Sequence, residues 1–333
     1  MFGWGRVRFG SMSGRAEMTY RRLGDSGLVV SAVGLGGNNF GLHLDLDATR
    51  AVVDAALDLG VNLIDTSDSY GTSEEVLGEV LEGRRADVVI ATKFGSDLHG
   101  ANGPDWGARG SRRYVRRAVE ASLRRLRTDH IDLYQLHWPD PHTPIAETLA
   151  ALTELVAEGK VRYIGSSNLA AWQVTDAEWT ARTAGTERFV SAQNHYNLLE
   201  RGVEAELVPA CRRHGIGVLP YFPLASGLLT GKYRRGEAPP DGSRLARWGQ
   251  TDRLTDERFD VVEALEKYAS ERGITILDVA IGGLAAQPGV ASVIAGATSV
   301  EQVRANVAAG TWHPSADDLA ALDGIVPSPR PPA

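Results

Sequence analysis

The chain has 333 residues and a mass of 35.7 kDa, which is long enough to bury a large hydrophobic core within one domain. Hydrophobic residues make up 43% and charged residues 23% of the chain, a composition that excludes a disordered polar chain. The formal net charge of -7 and the pI near 5.7 argue against nucleic acid as a partner, because that binding depends on clustered Lys and Arg.

The cysteine content indicates the cellular compartment, and the two ends of the chain indicate where the domain begins and ends. The single cysteine, Cys211, cannot form an internal disulfide and favours a reducing, cytoplasmic compartment. The sequence lacks an apolar run of the roughly 18 residues that would predict a membrane-spanning helix. Residues 1–17 are basic but lack the apolar core of a signal peptide, and we expect either a flexible leader there or a start assigned too far upstream. The sequence predicts one domain over 18–326, followed by a flexible Pro-rich tail over 327–333.

Short apolar runs alternate with longer amphipathic segments from residue 30 onward, which is typical of parallel strands joined by crossover helices. Before them, residues 19–31 form two short runs around the turn Asp25-Ser26-Gly27. This hairpin either closes the bottom of a barrel or lies solvated on the surface. The predicted strands are 31–36, 61–65, 87–93, 131–137, 161–165, 189–193, 216–221 and 291–296. Eight such units predict an α/β fold of the (β/α)8 TIM barrel type.

Helical patterns lie between the predicted strands, and two long loops interrupt them. The clearest predicted helices are 47–60, 111–128, 144–160, 202–215 and 258–273. The loops, 95–110 and 222–255, both follow strands and are rich in glycine. In a barrel, loops that follow strands lie at the C-terminal face, where active sites occur. Trp106 and Trp138 are therefore expected at or near a pocket.

Four polar residues stand where successive predicted strands end. Asp65 and Tyr70 follow the second strand, Lys93 ends the third and His137 ends the fourth. Each alone has an ordinary explanation as a cap, a packed aromatic or a solvated side chain. Because the ends of parallel strands face one mouth of a barrel, the four together indicate one site.

These four residues suit proton transfer to an oxygen atom. A phenol has a pKa of about 10, and the sequence predicts that the ammonium group of Lys93 lowers it for Tyr70. Asp65 would hold the buried lysine, and His137 would orient a substrate carbonyl group. Side chains supply no electron pair for reduction, so a hydride-carrying cofactor is implied.

Seven motifs follow one another along the chain: NLIDTSDSYGTSEEVLG, VIATKFG, IDLYQLHWPD, GKVRYIGSSN, SAQNHYN, PYFPLASGLLTGKY and IAGATSVEQVRAN. With them the sequence resembles the aldo-keto reductase family over nearly its whole length. The resemblance is to the branch that includes bacterial aldo-keto reductases and the β subunits of voltage-gated potassium channels. It implies that the four polar residues are catalytic, and that the chain reversibly reduces an aldehyde or ketone with NADPH and a proton from Tyr70.

The resemblance also implies which residues contact the nucleotide. At the nicotinamide the implied contacts are Ser167, Asn168, Gln193 and Tyr221. In the loop after the seventh strand, which resembles a pyrophosphate-binding segment, they are Phe222, Pro223, Leu224, Ser226, Gly227, Leu228 and Lys232. At the adenosine they are Gly296, Thr298, Gln302 and Asn306. Near the first two strands they are Gly37, Asn38 and Asp65.

One departure from the family pattern concerns the choice of nucleotide. Many members carry Lys or Arg for the 2'-phosphate in the adenosine segment, where this chain reads GATSVEQ. Arg244 is the candidate replacement, and the alternative is that it is a solvated loop arginine like Arg234, Arg235 and Arg247. NADPH is the predicted cofactor, and NADH remains an alternative.

Two other functional classes are alternatives to the reductase. A nucleotide-binding regulatory or sensor subunit is the main alternative, and a glycosidase would need two facing carboxylates, whereas Asp65 is expected to pair with Lys93. His142, His195 and His214 show no metal-ligand spacing, so no metal is predicted. The predicted partner is a small carbonyl compound, with neither nucleic acid nor membrane. The sequence leaves its identity and the oligomeric state open.

Overall fold

The computed structural model describes residues 18–329, whose strands form one two-stranded and one eight-stranded sheet. The predicted leader and residues 330–333 of the predicted tail lie outside the described part of the chain. In chain order the strands are β1 (Tyr20–Arg22), β2 (Val29–Ser31), β3 (Val33–Gly36), β4 (Leu63–Asp65), β5 (Val89–Phe94), β6 (Ile131–Leu136), β7 (Val161–Ser167), β8 (Phe189–His195), β9 (Gly217–Tyr221) and β10 (Val293–Gly296).

The eight-stranded sheet is parallel throughout and runs in the order β10-β3-β4-β5-β6-β7-β8-β9. Its two ends meet at a parallel bridge between Val218 and Val290. There, Val218 N donates to Gly289 O at 2.8 Å, and Ala291 N donates to Val218 O at 2.9 Å. These contacts close the sheet into a barrel, so the predicted (β/α)8 fold is confirmed.

Helices fill the connections between the strands. They are α1 (Leu46–Asp58), α2 (Ser73–Val80), α3 (Arg112–Arg125), α4 (Ile145–Ala157), α5 (Ala171–Ala184), α6 (Leu207–His214), α7 (Arg244–Arg247), α8 (Asp256–Glu271), α9 (Ile276–Ala285), α10 (Val300–Ala309) and α11 (Ala316–Ile325). The clearest predicted helices correspond to α1, α3, α4, α6 and α8. The predicted helix over 202–215 is shorter than expected, because Gly202–Glu204 forms a separate 3-10 turn before α6 begins.

The sequence of α3 explains how a helix rich in arginine packs on the barrel. The helix begins after Ser111, whose hydroxyl accepts a hydrogen bond from Tyr114 N. Its apolar residues recur at helical spacing and are buried, while several arginines stay on the outer face. One of them, Arg116, pairs with Glu154 and Glu158, at the C-terminal end of α4. Hydrophobic burial orients this helix, and the ion pairs line its exposed side.

The hairpin of β1 and β2 covers the N-terminal end of the barrel. Leu23 and Val30 are fully buried and pack in one cluster with barrel residues such as Leu133. Asp25 N donates to Gly215 O, just before β9, at 2.7 Å. The hairpin therefore closes the bottom of the barrel, and the surface alternative is excluded.

The long loop after β9 is anchored at the opposite end of the barrel. It contains a 3-10 segment, Ala225–Thr230, followed by α7. Leu229 and Leu245 of this loop are fully buried in a cluster with residues of α8 and α9. This burial holds the loop against the C-terminal face, where it forms one wall of the site. Within residues 18–329, no helix combines the length and apolar character needed to cross a membrane.

Candidate active site

A cleft with a volume of about 790 Å³ opens at the C-terminal ends of the barrel strands. All but two of the residues predicted for the site line it. Lys93 is fully buried beneath its floor. Leu228 is buried in the hydrophobic cluster that anchors the loop after β9, and it is not part of the lining. The fold thus brings residues from distant segments around one cavity.

A buried ion pair lies under this cleft. Lys93 Nζ, from β5, donates to Asp65 Oδ2 at 2.7 Å and to Thr66 O at 2.8 Å. Gln193 Nε2 donates to the other oxygen of Asp65, also at 2.7 Å. Burial favours the neutral amine, but Asp65 and Tyr70 outweigh it and raise the pKa of Lys93. Lys93 therefore remains a buried cation beside the cleft.

The phenol of Tyr70 lies next to that cation. Lys93 Nζ is 3.4 Å from Tyr70 Oη and 4.9 Å from the centre of its ring. Burial raises the pKa of Tyr70, and the opposing effect of Lys93 is the smaller one. Lys93 does lower this pKa as predicted, but the expected net lowering is corrected to a net rise, because desolvation of the phenolate outweighs the nearby charge. Tyr70 keeps its proton at neutral pH.

His137 follows β6 and faces the same part of the cleft as Tyr70, with the two ring centres 6.0 Å apart. Its Nδ1 lies 2.9 Å from Ser96 Oγ and 3.1 Å from Ser67 Oγ. Burial, and then the charge of Lys93, lower the pKa of His137 to about 3. The imidazole is therefore neutral at physiological pH.

The charges that line the cleft suit a phosphate-bearing ligand. Lys232, Arg244 and Arg247 contribute cations to the lining. Among the residues that the structure describes, the only carboxylate in the lining is that of Asp65, which already pairs with the buried lysine. A Cβ atom at Gly227 would lie 2.7 Å from Lys232 Nζ, so glycine is needed for the lysine to lie against this loop. These features fit a nucleotide pyrophosphate.

The wall formed by β7 and β9 is held in place by its own hydrogen bonds. Tyr221 Oη donates to Asn168 Oδ1 at 2.8 Å, and Asn168 Nδ2 donates to His137 O at 3.0 Å. One face of the Tyr221 ring stacks on His195, with the ring centres 5.5 Å apart and an interplanar angle of 11°. A fixed flat ring beside amide groups fits a nicotinamide ring and its carboxamide.

Three lining residues that are not glycine adopt left-handed backbone conformations. They are Asn168 (φ 61°), Phe222 (φ 52°) and Ser226 (φ 58°). Such conformations cost energy for residues with a Cβ atom and cluster at functional sites. The strain supports this cleft as the functional site.

Arg244 is not a freely solvated loop residue. Its Nη2 donates to Asn38 Oδ1 at 3.3 Å, across the cleft from α7. Its guanidinium lies 4.7 Å from the ring centre of Trp248 and 5.3 Å from that of Phe222. Arg247, for which the sequence predicts a solvated loop position, is exposed but also lines the cleft.

Several lining residues were not singled out from the sequence. They are Gly36, Asn39, Leu42, Ser69, Gly71, Ser96, Thr230, Gly242, Arg247, Trp248, Leu277, Ile294 and Ala305. Ser96 and the nearby Ser67 follow β5 and β4 by two residues each, and that position was the signal available for them. Trp138 lines the cleft, whereas Trp106 lies outside it, beneath the guanidinium of Arg113. Nowhere in residues 18–329 do three His, Cys, Asp or Glu side chains form a group that could hold a metal ion.

Comparison with known proteins identifies the family of this chain. The sequence profile of the aldo/keto reductase family matches residues 32–327, which include every predicted site residue. The chain belongs to the aldo/keto reductase family. Aldo/keto reductases generally bind NAD(P)H and act on small carbonyl compounds.

Similar proteins include ones named as oxidoreductases or reductases and one named as a probable channel subunit. A probable voltage-gated potassium channel subunit beta of Arabidopsis thaliana is 37% identical over 304 residues, covering 88% of this chain and 91% of its own. A Bacillus subtilis relative named as the uncharacterized oxidoreductase YrpG is 37% identical over 322 residues, covering 94% of this chain and 97% of its own. The L-glyceraldehyde 3-phosphate reductase of Escherichia coli is 33% identical over 329 residues, covering 92% of each. The family and these enzymes support an oxidoreductase.

Proposed function

We propose that this aldo/keto reductase reversibly reduces aldehydes or ketones to alcohols, with NADPH as its cofactor and Tyr70 as its proton donor. The observation that carries the proposal is a protonated phenol 3.4 Å from a buried ammonium group, beside a neutral imidazole in the same cleft. The nucleotide, when bound, supplies the hydride. The side chains orient the carbonyl group and transfer the proton.

Each residue of the tetrad formed by Asp65, Tyr70, Lys93 and His137 has its own part in the proton transfer. Neutral His137 donates a hydrogen bond to the carbonyl oxygen and so orients and polarises it. Tyr70 gives its proton to that oxygen as the alcohol forms. Lys93 stabilises the phenolate that remains, and Asp65 keeps the buried lysine charged. In the reverse direction the phenolate takes the proton from the alcohol.

The polar wall and the cationic loop would hold the nucleotide. Tyr221 offers its free face to the nicotinamide ring, and Ser167 and Asn168 offer polar groups to the carboxamide. Gln193 already donates its Nε2 hydrogen to Asp65, which leaves its oxygen as an acceptor for the carboxamide NH2 group. Lys232 would neutralise the pyrophosphate.

A scan of aldehydes and ketones tests the activity. Purified protein with NADPH is expected to consume reduced nicotinamide, followed by its absorbance, with at least one of these carbonyl compounds. The channel subunit among the relatives supports a second candidate, a nucleotide-dependent regulatory subunit. Tight nucleotide binding without turnover of any carbonyl compound, together with a stable protein partner, would favour that second function.

Arg244→Ala is expected to weaken NADPH binding by roughly tenfold or more, the effect of losing one charge-assisted hydrogen bond, while NADH binding changes little. The reason is that Arg244 is the half-buried cation proposed to meet the 2'-phosphate. Side-by-side kinetics with both nucleotides measure the preference. Arg234→Ala is the matched control, because Arg234 pairs with Glu266 outside the cleft lining. An unchanged preference in Arg244→Ala contradicts this assignment.

A further inference from the structure

Two serine hydroxyls hold the imidazole of His137 on its Nδ1 side. Ser96 Oγ lies 2.9 Å and Ser67 Oγ 3.1 Å from Nδ1. The serines follow β5 and β4, while His137 follows β6, so three adjacent strands bring the three side chains together. All three are buried, with 9% or less of each residue exposed. Nδ1 is thus committed to the protein, and Nε2 is the ring nitrogen left for the cleft.

The hydrogen bond of Ser96 determines which nitrogen carries the proton. A neutral imidazole has one N–H group, and its other nitrogen is an acceptor. Within the described part of the chain, Nδ1 is the only hydrogen-bond partner of the Ser96 hydroxyl. A proton on Nδ1 would leave the hydroxyl hydrogen of Ser96 without a protein acceptor in a buried position, which is unfavourable. This contact favours a hydrogen bond from Ser96 to Nδ1, with the proton of His137 on Nε2.

Ser67 has a different set of contacts. Its Oγ lies 2.9 Å from Ser69 Oγ and 3.4 Å from Asp68 Oδ1, and it accepts a hydrogen bond from Ser69 N at 3.2 Å. Asp68 is buried, and its burial and the neighbouring Glu74 raise its pKa to about 7, although Arg125 opposes them. The hydrogen of Ser67 thus has acceptors besides Nδ1. The Ser67 oxygen contacts the imidazole of His137 and connects it to the buried carboxyl group of Asp68.

We propose that Ser67 and Ser96 are positioning residues that hold His137 as a neutral imidazole with its proton on Nε2, ready to donate to a carbonyl oxygen. Ser96 sets the position of the proton, and Ser67 sets the position of the ring. The use of that N–H group rests on the proposed reductase function. The tautomer, in contrast, is a property of the protein alone and can be measured without substrate or nucleotide.

Nitrogen-15 NMR of the full chain, with labelled histidine at pH 7, tests the tautomer directly. The signals of His137 are assigned by their loss in His137→Gln. We expect an unprotonated Nδ1 and an Nε2–H group in the wild type, and a mixture of tautomers in the double variant Ser67→Ala with Ser96→Ala. Ser96→Thr, which keeps a hydroxyl, should retain the wild-type tautomer. A wild-type proton on Nδ1 overturns the proposal, and that measurement requires only the wild type and the His137→Gln assignment variant to fold.

Kinetics with NADPH and 4-nitrobenzaldehyde as the probe test the consequence. The double variant is expected to lose roughly 10- to 100-fold in kcat, by analogy with the loss of groups that orient metal-bound histidines. Its nucleotide Kd should not change, and the single variant Ser96→Thr should retain most of the wild-type kcat. Ser122→Ala is the matched control, since this buried serine of α3 lies outside the cleft lining.

The two hypotheses fail in different ways. A double variant with wild-type kcat and an unchanged tautomer contradicts the positioning role of the serines. A wild type that turns over no carbonyl compound contradicts the proposed function instead, and the NMR result then still decides whether the serines set the tautomer.

Discussion

Tyr70→Phe is expected to lower kcat for carbonyl reduction by about 10²- to 10⁴-fold, the usual contribution of a positioned proton donor. Phenylalanine keeps the ring in the cleft and removes only the hydroxyl that lies beside Lys93. Nucleotide binding should therefore stay close to that of the wild type. Steady-state kinetics give kcat, and fluorescence titration with NADPH gives the nucleotide Kd.

Tyr163→Phe is the matched control for that substitution. Tyr163 lies in β7 and packs near the barrel bottom, outside the cleft lining, so loss of its hydroxyl should leave kcat unchanged. A fully active Tyr70→Phe variant would remove Tyr70 as the proton donor. Loss of nucleotide binding in the same variant would instead indicate that the hydroxyl supports the cleft structure.

Arg201→Met is expected to lower the free energy of unfolding by about 3–5 kcal/mol at pH 7, the cost of leaving a buried charge without its partner. Arg201 and Glu204 are both buried, and Arg201 Nε donates to Glu204 Oε1 at 2.7 Å. Tyr196 Oη donates to the same oxygen at 2.6 Å. Methionine fills much of the space but supplies no charge. Urea denaturation of the two proteins measures the difference.

The pH dependence of this effect follows from Glu204. Burial alone would raise the pKa of Glu204, but hydrogen bonds from Arg201, Ser328 and Tyr196 outweigh it and hold the pKa below its ordinary value. Because the pKa of Glu204 is lower in the folded than in the unfolded state, ionised Glu204 stabilises the folded protein at pH values above its unfolded-state pKa. This contribution is lost as the pH falls through the folded-state pKa. The deficit of Arg201→Met should therefore shrink in acid.

The control for that substitution is an exposed ion pair. Arg234→Met removes the partner of Glu266, where both side chains keep access to water, and should cost about 0–1 kcal/mol. Equal stability losses in Arg234→Met and Arg201→Met would show that burial of the Arg201 pair has no special effect. If the stability loss of Arg201→Met grew in acid, Glu204 could not be the source of its pH dependence.

Local patterns were sufficient to predict most of the barrel. The apolar run at 131–137 became β6, and the amphipathic segment at 111–128 became α3, because strand and helix periodicity depend on which residues a short segment buries. The same reasoning missed the break at Gly202–Glu204. There, Glu204 turns inward to meet Arg201 and the segment that follows α11, and this contact has no local sequence signal.

The position of the site was also predictable, but its electrostatics were not. Asp65, Lys93 and His137 stand at the ends of adjacent parallel strands, and chain order alone indicates that they share one face. The pKa of Tyr70 depends on the balance between burial and the charge of Lys93. Burial is set by the surrounding loops, so the sequence predicted the sign of the lysine effect but not the net direction of the shift.

The sequence by itself determined the fold class and the family, and it predicted that Asp65, Tyr70, Lys93 and His137 share one site, because these depend on residue type and on order along the chain. Only the tertiary structure decided which side-chain atoms come into contact in and around the cleft. Arg244 reaches Asn38 over 206 residues of sequence, and Ser67 reaches His137 over 70. Such contacts depend on how the closed barrel and its anchored loops orient side chains, to within fractions of an ångström. Hydrogen bonding requires that accuracy, and local periodicity does not encode it.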